Sequence, residues 1–216
     1  MDEVRERLLS MSQAAMEDGV PLAWFEELYS EAGRDEGWIP WSDGLPNPLV
    51  VEWAVNERDM GSALVVGCGL GEDAVFLEQI GWDVIAFDIS PTAVEWAEEM
   101  NRDSKVEWVT ADLLDLPDEW VESFDLVLEV YTLQAMPESV RVLASPILPT
   151  LVREGGHLVC IGRYQTEEGP HEGPPWPLNR PFIETIGEAL TMGDLTIRSL
   201  PDDEPDVTRF RAVWRA

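Results

Sequence analysis

The chain has 216 residues, 45% of them hydrophobic, which is enough for one domain with a substantial core. Its 43 acidic and 14 basic residues give a net charge of −29, and such a surface disfavours binding to nucleic acids and to anionic membranes. The sequence has no run of about 18 apolar residues, and its charged N-terminus lacks the apolar core of a signal peptide, so we expect a cytoplasmic protein.

Lysine and cysteine are both rare. Lys105 is the only lysine, a bias expected either of a high-salt cytoplasm or of a GC-rich genome. Two cysteines, Cys68 and Cys160, do not make a disulfide framework, and we predict that both are buried and unbridged. We predict no metal site.

The N-terminal part of the chain is predicted to be helical. Residues 1–17 and 21–31 have the apolar spacing of amphipathic helices. An irregular stretch, residues 33–48, follows them and is too rich in tryptophan to be a linker. A short helix is predicted over residues 49–57. Residues 1–48 therefore read as a helical cap, and residues 49–216 as the core of the same domain.

From residue 62 the pattern alternates between strand and helix. Strands are predicted at 63–67, 83–88, 106–110, 124–130, 157–162, 195–200 and 207–214, and helices at 72–81, 90–101, 137–152 and 182–190. Alternating units of this kind give a doubly wound, mostly parallel sheet of the Rossmann-like type. The last two strands flank an acidic turn, residues 201–205, and predict an antiparallel hairpin.

A glycine-rich turn directly follows the first strand. Gly67, Gly69 and Gly71 allow a tight turn that approaches a ligand at the carboxyl edge of the sheet. The third glycine of a dinucleotide fingerprint would fall at position 72, which is Glu72. An acidic residue at a helix start repels a pyrophosphate, so the motif favours a ligand without phosphate.

Carboxylates end three of the predicted strands. Asp88 lies about 20 residues past the central glycine, where an acidic side chain can bind a ribose hydroxyl pair. Asp112 is similarly placed to meet an adenine edge. Glu129 is expected near a bound sulfonium, although it could equally cap a helix or pair with an arginine.

Residues 63–100 resemble the core of class I S-adenosylmethionine (SAM)-dependent methyltransferases. The likeness rests on the glycine motif and on the run Asp-Ile-Ser-Pro-Thr-Ala-Val that begins at Asp88. Residues 39–48, residues 131–137 with Arg141, and residues 151–158 are similar to segments of the thiopurine, thiol and halide methyltransferase group. Position 42 departs from that group, because it holds Ser42 where an aspartate is usual.

The resemblance implies SAM as the cofactor and S-adenosyl-L-homocysteine (SAH) as its product. It assigns the cofactor site to the turn, the strand ends and one tryptophan: Trp41, Gly67, Cys68, Gly69, Gly71, Asp88, Ile89, Asp112, Leu113 and Glu129. Of these, Asp88 would bind the ribose, Ile89, Asp112 and Leu113 would border the adenine, and Trp41 would close over the cofactor.

The acceptor site is expected on the remaining irregular segments. Tyr131, Gln134 and His171 are the candidates for orienting or deprotonating the acceptor. We expect Trp38, Arg163, Tyr164 and Trp176 to line the site. The tryptophan–proline segment (residues 38–48) and the proline loop (residues 169–180, with Pro170, Pro174, Pro175 and Pro177) are predicted to form a lid.

The resulting hypothesis is methyl transfer to a small molecule by in-line displacement, with a thiol, a halide or a related soft nucleophile as acceptor. Methylation of an oxygen or nitrogen of a small metabolite is the alternative. A non-catalytic SAM-binding protein and an NAD(P)-dependent oxidoreductase are alternatives of another class, and Glu72 argues against the latter. The sequence implies no particular oligomeric state.

Overall fold

The structure is a computed structural model that describes residues 2–58, 60–167, 169, 171–201, 203–205 and 207–216. Three residues named in the predictions lie outside these ranges. They are Met1 of the first helix, Pro170 of the proline loop and Asp202 of the acidic turn.

Within the described residues the chain forms eight α-helices, three 3-10 helices and seven strands. The α-helices are α1 (Asp2–Glu17), α2 (Ala23–Ala32), α3 (Pro48–Ala54), α4 (Glu72–Gln79), α5 (Pro91–Met100), α6 (Thr132–Ala135), α7 (Glu138–Ala144) and α8 (Arg180–Ile186). The 3-10 helices are Glu36–Trp38, Asp118–Trp120 and Ser145–Leu151. The strands are β1 (Ser62–Val66), β2 (Asp83–Asp88), β3 (Glu107–Thr110), β4 (Phe124–Val130), β5 (Val152–Arg163), β6 (Thr191–Arg198) and β7 (Arg209–Arg215).

The seven strands form one sheet in the order β3-β2-β1-β4-β5-β7-β6. Strands β1 to β5 run parallel, whereas β7 pairs antiparallel with both β5 and β6. The predicted doubly wound sheet and its terminal hairpin are therefore confirmed. The strand order reverses between β1 and β4, and in such sheets the carboxyl ends of the strands at this point leave a crevice for a ligand.

The sheet is covered on both faces, which explains its nearly continuous apolar strands. Leu64 and Val127 belong to a core that includes residues of α7 and α8. Val65 and Leu128 belong to a core that includes residues of α3 and α4.

The N-terminal helices pack over the start of α5. Ser90 Oγ and Thr92 Oγ1 each donate a hydrogen bond to the Glu26 carboxylate, both at 2.6 Å. Partial burial pushes the pKa of Glu26 upwards, but these hydrogen bonds leave it below its ordinary value. Glu26 thus ties the cap to the element that follows β2.

Several predicted boundaries were wrong: α8 ends at Ile186 rather than at residue 190, β6 begins at Thr191 rather than at residue 195, and two others differ by more. The helix predicted over residues 137–152 ends at Ala144 and continues as a 3-10 helix, because Pro146 and Pro149 lack the N–H that an α-helix would need there. Strand β5 begins at Val152, five residues before the predicted start, and a register irregularity in β4 accommodates the longer pairing.

Cys68 and Cys160 both have free thiols, as predicted, but only Cys160 is buried, whereas Cys68 is partly exposed. No helix in the described ranges has the length and apolar character that crossing a membrane requires.

Candidate active site

A cavity of about 930 Å³ opens at the carboxyl ends of the central strands. Its wall includes the strand ends, residues of α1 and α2, the proline loop and the start of β7. Ligand pockets commonly measure about 300–1,000 Å³, so this one has room for a cofactor and a small second ligand together.

The glycine-rich turn, residues 67–71, lies beside this cavity, and Gly67 is part of its wall. Gly67, Gly69 and Gly71 all have positive φ angles, of 61°, 55° and 91°. A Cβ on Gly67 would lie 2.4 Å from Thr132 Oγ1, and one on Gly71 would lie 2.3 Å from the Trp108 ring. Both the backbone conformation and the close packing therefore require glycine.

Asp88 connects the end of β2 to this turn. Its carboxylate accepts hydrogen bonds from the backbone N–H groups of Gly69, at 3.0 Å, and of Ser90, at 2.9 Å. The side chain is buried on the cavity wall, and burial raises the pKa of its carboxyl group. Each carboxylate oxygen can accept a second hydrogen bond, so Asp88 can hold the turn and still bind a ligand.

Ile89, Asp112 and Leu113 form the next part of the wall. Asp112 Oδ1 accepts a hydrogen bond from the backbone N–H of Leu114 at 2.9 Å, and no described group donates to its other oxygen. Apolar surfaces beside carboxylates suit a flat purine ring together with its polar edge and sugar. These residues fit SAM, the cofactor that the resemblance implies.

Trp41 and Tyr29 lie against the glycine turn. Trp41 Nε1 donates a hydrogen bond to Tyr29 Oη at 2.9 Å, and both side chains line the cavity. A Cβ on Gly69 would approach Tyr29 Oη to 3.0 Å. The sequence predicted Trp41 here but not Tyr29, which belongs to a helix that showed no sign of reaching the site.

Tyr131 occupies the opposite side, directly after β4. Its φ angle is 64°, a conformation that is uncommon for residues other than glycine. Asn47 Nδ2 donates a hydrogen bond to its hydroxyl oxygen at 3.0 Å, and the Arg209 guanidinium lies 5.5 Å from its ring centroid. Arg209 is in turn bound by Asp203 at 2.5 Å.

Gln134, Arg163 and Tyr164 lie on the same side and line the cavity. Gln134 Oε1 accepts a hydrogen bond from the Arg163 backbone N–H at 2.6 Å. That bond directs the Gln134 amide nitrogen away from the backbone of β5, and no described group accepts a hydrogen bond from it. No described acidic side chain forms an ion pair with Arg163.

Two tryptophans expected on the cavity wall do not line it. The Arg7 guanidinium covers the Trp38 ring at 3.7 Å from the ring centroid, which places Trp38 in the N-terminal cap. The Trp176 backbone N–H donates to the Gln134 carbonyl at 2.7 Å, and its ring packs against Gly173. The proline loop instead presents prolines to the cavity, namely Pro174, Pro175 and Pro177.

Five other predicted residues have mixed positions. His171 lines the cavity, and its Nε2 lies 3.2 Å from the Glu167 carbonyl oxygen. Cys68, Gly69 and Gly71 are part of the turn but not of the wall. Glu129 is 1% exposed and lies behind the wall, where its Oε1 accepts a hydrogen bond from the Leu133 backbone N–H at 2.9 Å.

Sequence reasoning missed Asn47 and Arg209. Asn47 carried a signal, because an asparagine before Pro48 is typical of a helix N-cap. Arg209 carried none, because its strand read only as one half of a terminal hairpin.

The fold and the site together are those of a doubly wound domain with a ligand-sized cavity beside the glycine turn that follows β1. Residues 64–160 match the sequence profile of a family described as "Methyltransferase domain". The chain is 30% identical to thiocyanate methyltransferase 1 of Brassica oleracea in an alignment 159 residues long, which covers 69% of this chain and 68% of that protein. It is 28% identical to probable thiol methyltransferase 2 of Arabidopsis thaliana in an alignment 174 residues long, which covers 75% of each chain.

Among solved structures, the N-methyltransferase NodS from Bradyrhizobium japonicum in complex with SAH superposes with a TM-score of 0.66. Its sequence is 19% identical, and the match covers 88% of this chain and 96% of that one. The chain belongs to the class I SAM-dependent methyltransferases, and it is an enzyme that uses SAM to methylate a small molecule.

Proposed function

We propose that the enzyme transfers the SAM methyl group to a small, soft anionic nucleophile such as a thiolate or a halide. The observation that carries this proposal is the chemistry of the wall beyond β4 and β5. Tyr131 and Gln134 supply hydrogen-bond donors there, and Arg163 supplies positive charge, whereas the charge of Arg209 is paired with Asp203. The acidic side chains of the adjoining loops that line the cavity, Asp43, Glu167, Glu172 and Glu204, lie at exposed positions.

An anionic acceptor fits such a wall because it needs no base. A thiolate or halide is already nucleophilic, whereas a hydroxyl or an ammonium group must lose a proton to a group within hydrogen-bond reach. His171 is the one histidine on the described wall, and it lies in the proline loop rather than beside the strand ends.

On the cofactor side we propose that the glycine turn holds the methionine part of SAM and that Asp88 binds the ribose hydroxyls. Ile89, Asp112 and Leu113 would enclose the adenine, and Trp41 would cover the cofactor. SAM supplies an electrophilic methyl carbon, and the acceptor's lone pair forms the new bond to it while the electrons of the broken carbon–sulfur bond return to sulfur.

The chain's own residues orient the acceptor and exclude water. Arg163, which forms no ion pair with a described acidic side chain, attracts the anion into a protein of net charge −29. Pro174, Pro175 and Pro177 enclose it with apolar surface and leave water few partners. Alignment and dehydration are the main contributions that a protein makes to this kind of displacement.

The relatives support a soft acceptor, because those proteins carry the names thiol and thiocyanate methyltransferase. The strongly negative charge supports a freely diffusing substrate rather than nucleic acid or membrane. The two free thiols support a reducing compartment such as the cytoplasm.

The test is a panel of iodide, thiocyanate, an aromatic thiol, a carboxylic acid, a phenol and an amine, with SAH formation as the readout. We expect kcat/KM for the thiol or thiocyanate to exceed the values for the phenol and the amine at least tenfold. We also expect the rate with iodide to be nearly flat between pH 6 and 9, because no base takes part. A phenol or an amine as the preferred acceptor would contradict the proposal.

A further inference from the structure

Asn47 is a residue of the tryptophan–proline segment that contacts three separate elements. Its Oδ1 accepts a hydrogen bond from the Leu49 backbone N–H at 3.0 Å and so caps α3. Its backbone N–H donates to Asp73 Oδ1, in the first turn of α4, at 2.7 Å. Its Nδ2 donates to the Tyr131 hydroxyl oxygen at 3.0 Å.

The cap on α3 fixes which way the Asn47 amide points. Only the amide oxygen can accept the Leu49 hydrogen bond, so the NH₂ group must be the atom that faces Tyr131. An NH₂ group donates and does not accept. The Tyr131 hydroxyl oxygen is therefore the acceptor in this contact, and its own hydrogen must point elsewhere.

The described neighbours of Tyr131 leave its hydroxyl hydrogen free to point into the cavity. The Arg209 guanidinium beside the Tyr131 ring carries only donors. No described group accepts a hydrogen bond from the Tyr131 hydroxyl, and Tyr131 lines the cavity. The positive φ angle of Tyr131 belongs to a turn whose next residue, Thr132, donates from Oγ1 to the Val66 carbonyl at 3.0 Å.

We propose that Asn47 is a positioning residue that makes the Tyr131 hydroxyl a fixed hydrogen-bond donor to the anionic acceptor. The identity of that acceptor rests on the function proposed above. A hydrogen-bond donor stabilises the anionic acceptor most before the acceptor's charge is lost to the new bond. Removal of the donor is therefore expected to act mainly on the KM for the acceptor rather than on kcat.

The decisive variant is Asn47→Asp. The new carboxylate still caps α3, but it can only accept from Tyr131, so the phenol hydrogen turns away from the cavity. We expect about a tenfold rise in the acceptor KM, the same as for Tyr131→Phe, because a hydrogen bond to a charged group is lost in both. The Kd for SAH should stay within about twofold of the wild-type value.

Asn47→Ser is the matched control. Serine is a good N-cap, but it is too short to reach Tyr131, so the phenol becomes free to rotate without being turned away. We expect a smaller rise in KM, of about threefold. This variant also carries the test if the extra carboxylate, close to Asp73, prevents Asn47→Asp from folding.

Two measurements separate positioning from a merely structural role. In a double-mutant cycle, Asn47→Asp should add nothing to Tyr131→Phe. The affinity of the SAH complex for iodide and thiocyanate, measured by calorimetry without turnover, should fall in the same variants and in the same order as the KM rises. Additive effects would overturn the proposal, as would a loss of SAH affinity with unchanged anion affinity. If the wild-type enzyme methylated phenols but no soft nucleophile, the proposed function would be refuted. The double-mutant cycle would still test whether Asn47 positions the Tyr131 hydroxyl.

Discussion

The two sides of the cavity are built in different ways. The proposed cofactor side uses residues that end or directly follow strands β1, β2 and β3, namely residues 67–71, Asp88 with Ile89, and residues 111–113. The acceptor side brings together Asn47, Tyr131 with Gln134, Arg163 and Arg209 from four segments. The first side is determined by short stretches of chain, the second by the tertiary packing of distant ones.

This difference matters for how each side can vary. On the cofactor side Asp88 accepts from Gly69, so the carboxylate and the turn hold each other in place. On the acceptor side Tyr131 depends on Asn47, 84 positions away, and Gln134 depends on Arg163, 29 positions away. A change in one acceptor segment can alter specificity while the cofactor side keeps its geometry.

The largest effect is expected where the two sides touch. Gly67→Ala would place a methyl group 2.4 Å from Thr132 Oγ1 at a φ of 61°. Left-handed strain and overpacking together should lower the free energy of unfolding by about 2–5 kcal/mol and remove SAM binding. Urea denaturation and SAH calorimetry measure the two effects.

Gly155→Ala is the control for that substitution. Gly155 has a φ of 81°, and a Cβ there would meet nothing within 4 Å. Gly155→Ala should therefore lower the free energy of unfolding only by the cost of left-handed strain, about 1–2 kcal/mol. Equal losses of unfolding free energy in the two variants would mean that Gly67 and Thr132 are not tightly packed.

The next effect concerns the cofactor side alone. Asp88→Ala should weaken SAM and SAH binding about ten- to hundredfold, which corresponds to about 1.5–3 kcal/mol for the lost hydrogen bonds to the ribose. An SAH analogue without ribose hydroxyls should lose less affinity than SAH does, because for the analogue the variant loses only the support that Asp88 gives to the glycine turn. Asp115→Ala, an exposed acid off the cavity wall, serves as the control. An unchanged Kd for SAH in a folded Asp88→Ala protein would rule out the ribose role.

The sequence predicted the fold, and the meeting of Gly67 and Asp88 at one sheet edge, because both depend on local patterns. A buried strand that ends in Gly67 and a second one that ends in Asp88 place these residues at one sheet edge in any doubly wound domain. The terminal hairpin was predicted from the two short strands on either side of the acidic turn. The α7 boundary was missed because Pro146 and Pro149 were read through as part of one helix.

The acceptor side could not be predicted to the same depth. Trp38 and Trp176 were placed on the wall because irregular aromatic segments usually gather at a site, but Arg7 and Gly173 pack against them instead. The pairing of Asn47 with Tyr131 depends on how the tryptophan–proline segment crosses the sheet. No local pattern encodes that path.

The smallest expected effect comes from a comparison of two buried carboxylates, Asp88 at the end of β2 and Glu129 near the end of β4. Asp88 lies on the cavity wall, whereas Glu129 lies behind it and makes contact with Leu133 and Cys160. Burial raises the pKa of Glu129 from 4.5 to about 7, although hydrogen bonds from the Leu133 and Thr132 N–H groups oppose the rise. One of its oxygens, Oε2, is buried without a hydrogen-bond partner.

The raised pKa sets the sign of the pH dependence. Below pH 4.5 Glu129 is protonated in both the folded and the unfolded chain and costs nothing. Between pH 4.5 and about 7 the unfolded chain ionises first, so stability falls as the pH rises, and above that range the penalty stays constant. Glu129→Gln cannot ionise, and it keeps the oxygen that caps Leu133. It should be more stable than the wild type by about 1–2 kcal/mol at pH 8, after allowing for a buried amide, and by much less at pH 5.

The measurement is the difference in Tm between Glu129→Gln and wild type at pH 8 and at pH 5, with the exposed Glu107→Gln as control. About 1–2 kcal/mol corresponds to a rise of roughly 2–8 °C for a chain of this size. The Kd for SAH should stay within about twofold, because Glu129 does not reach the cavity wall. Weaker SAH binding in this variant would instead return Glu129 to the cofactor site, where the sequence first placed it. The carboxylates that end β2 and β4 would then both bind the cofactor.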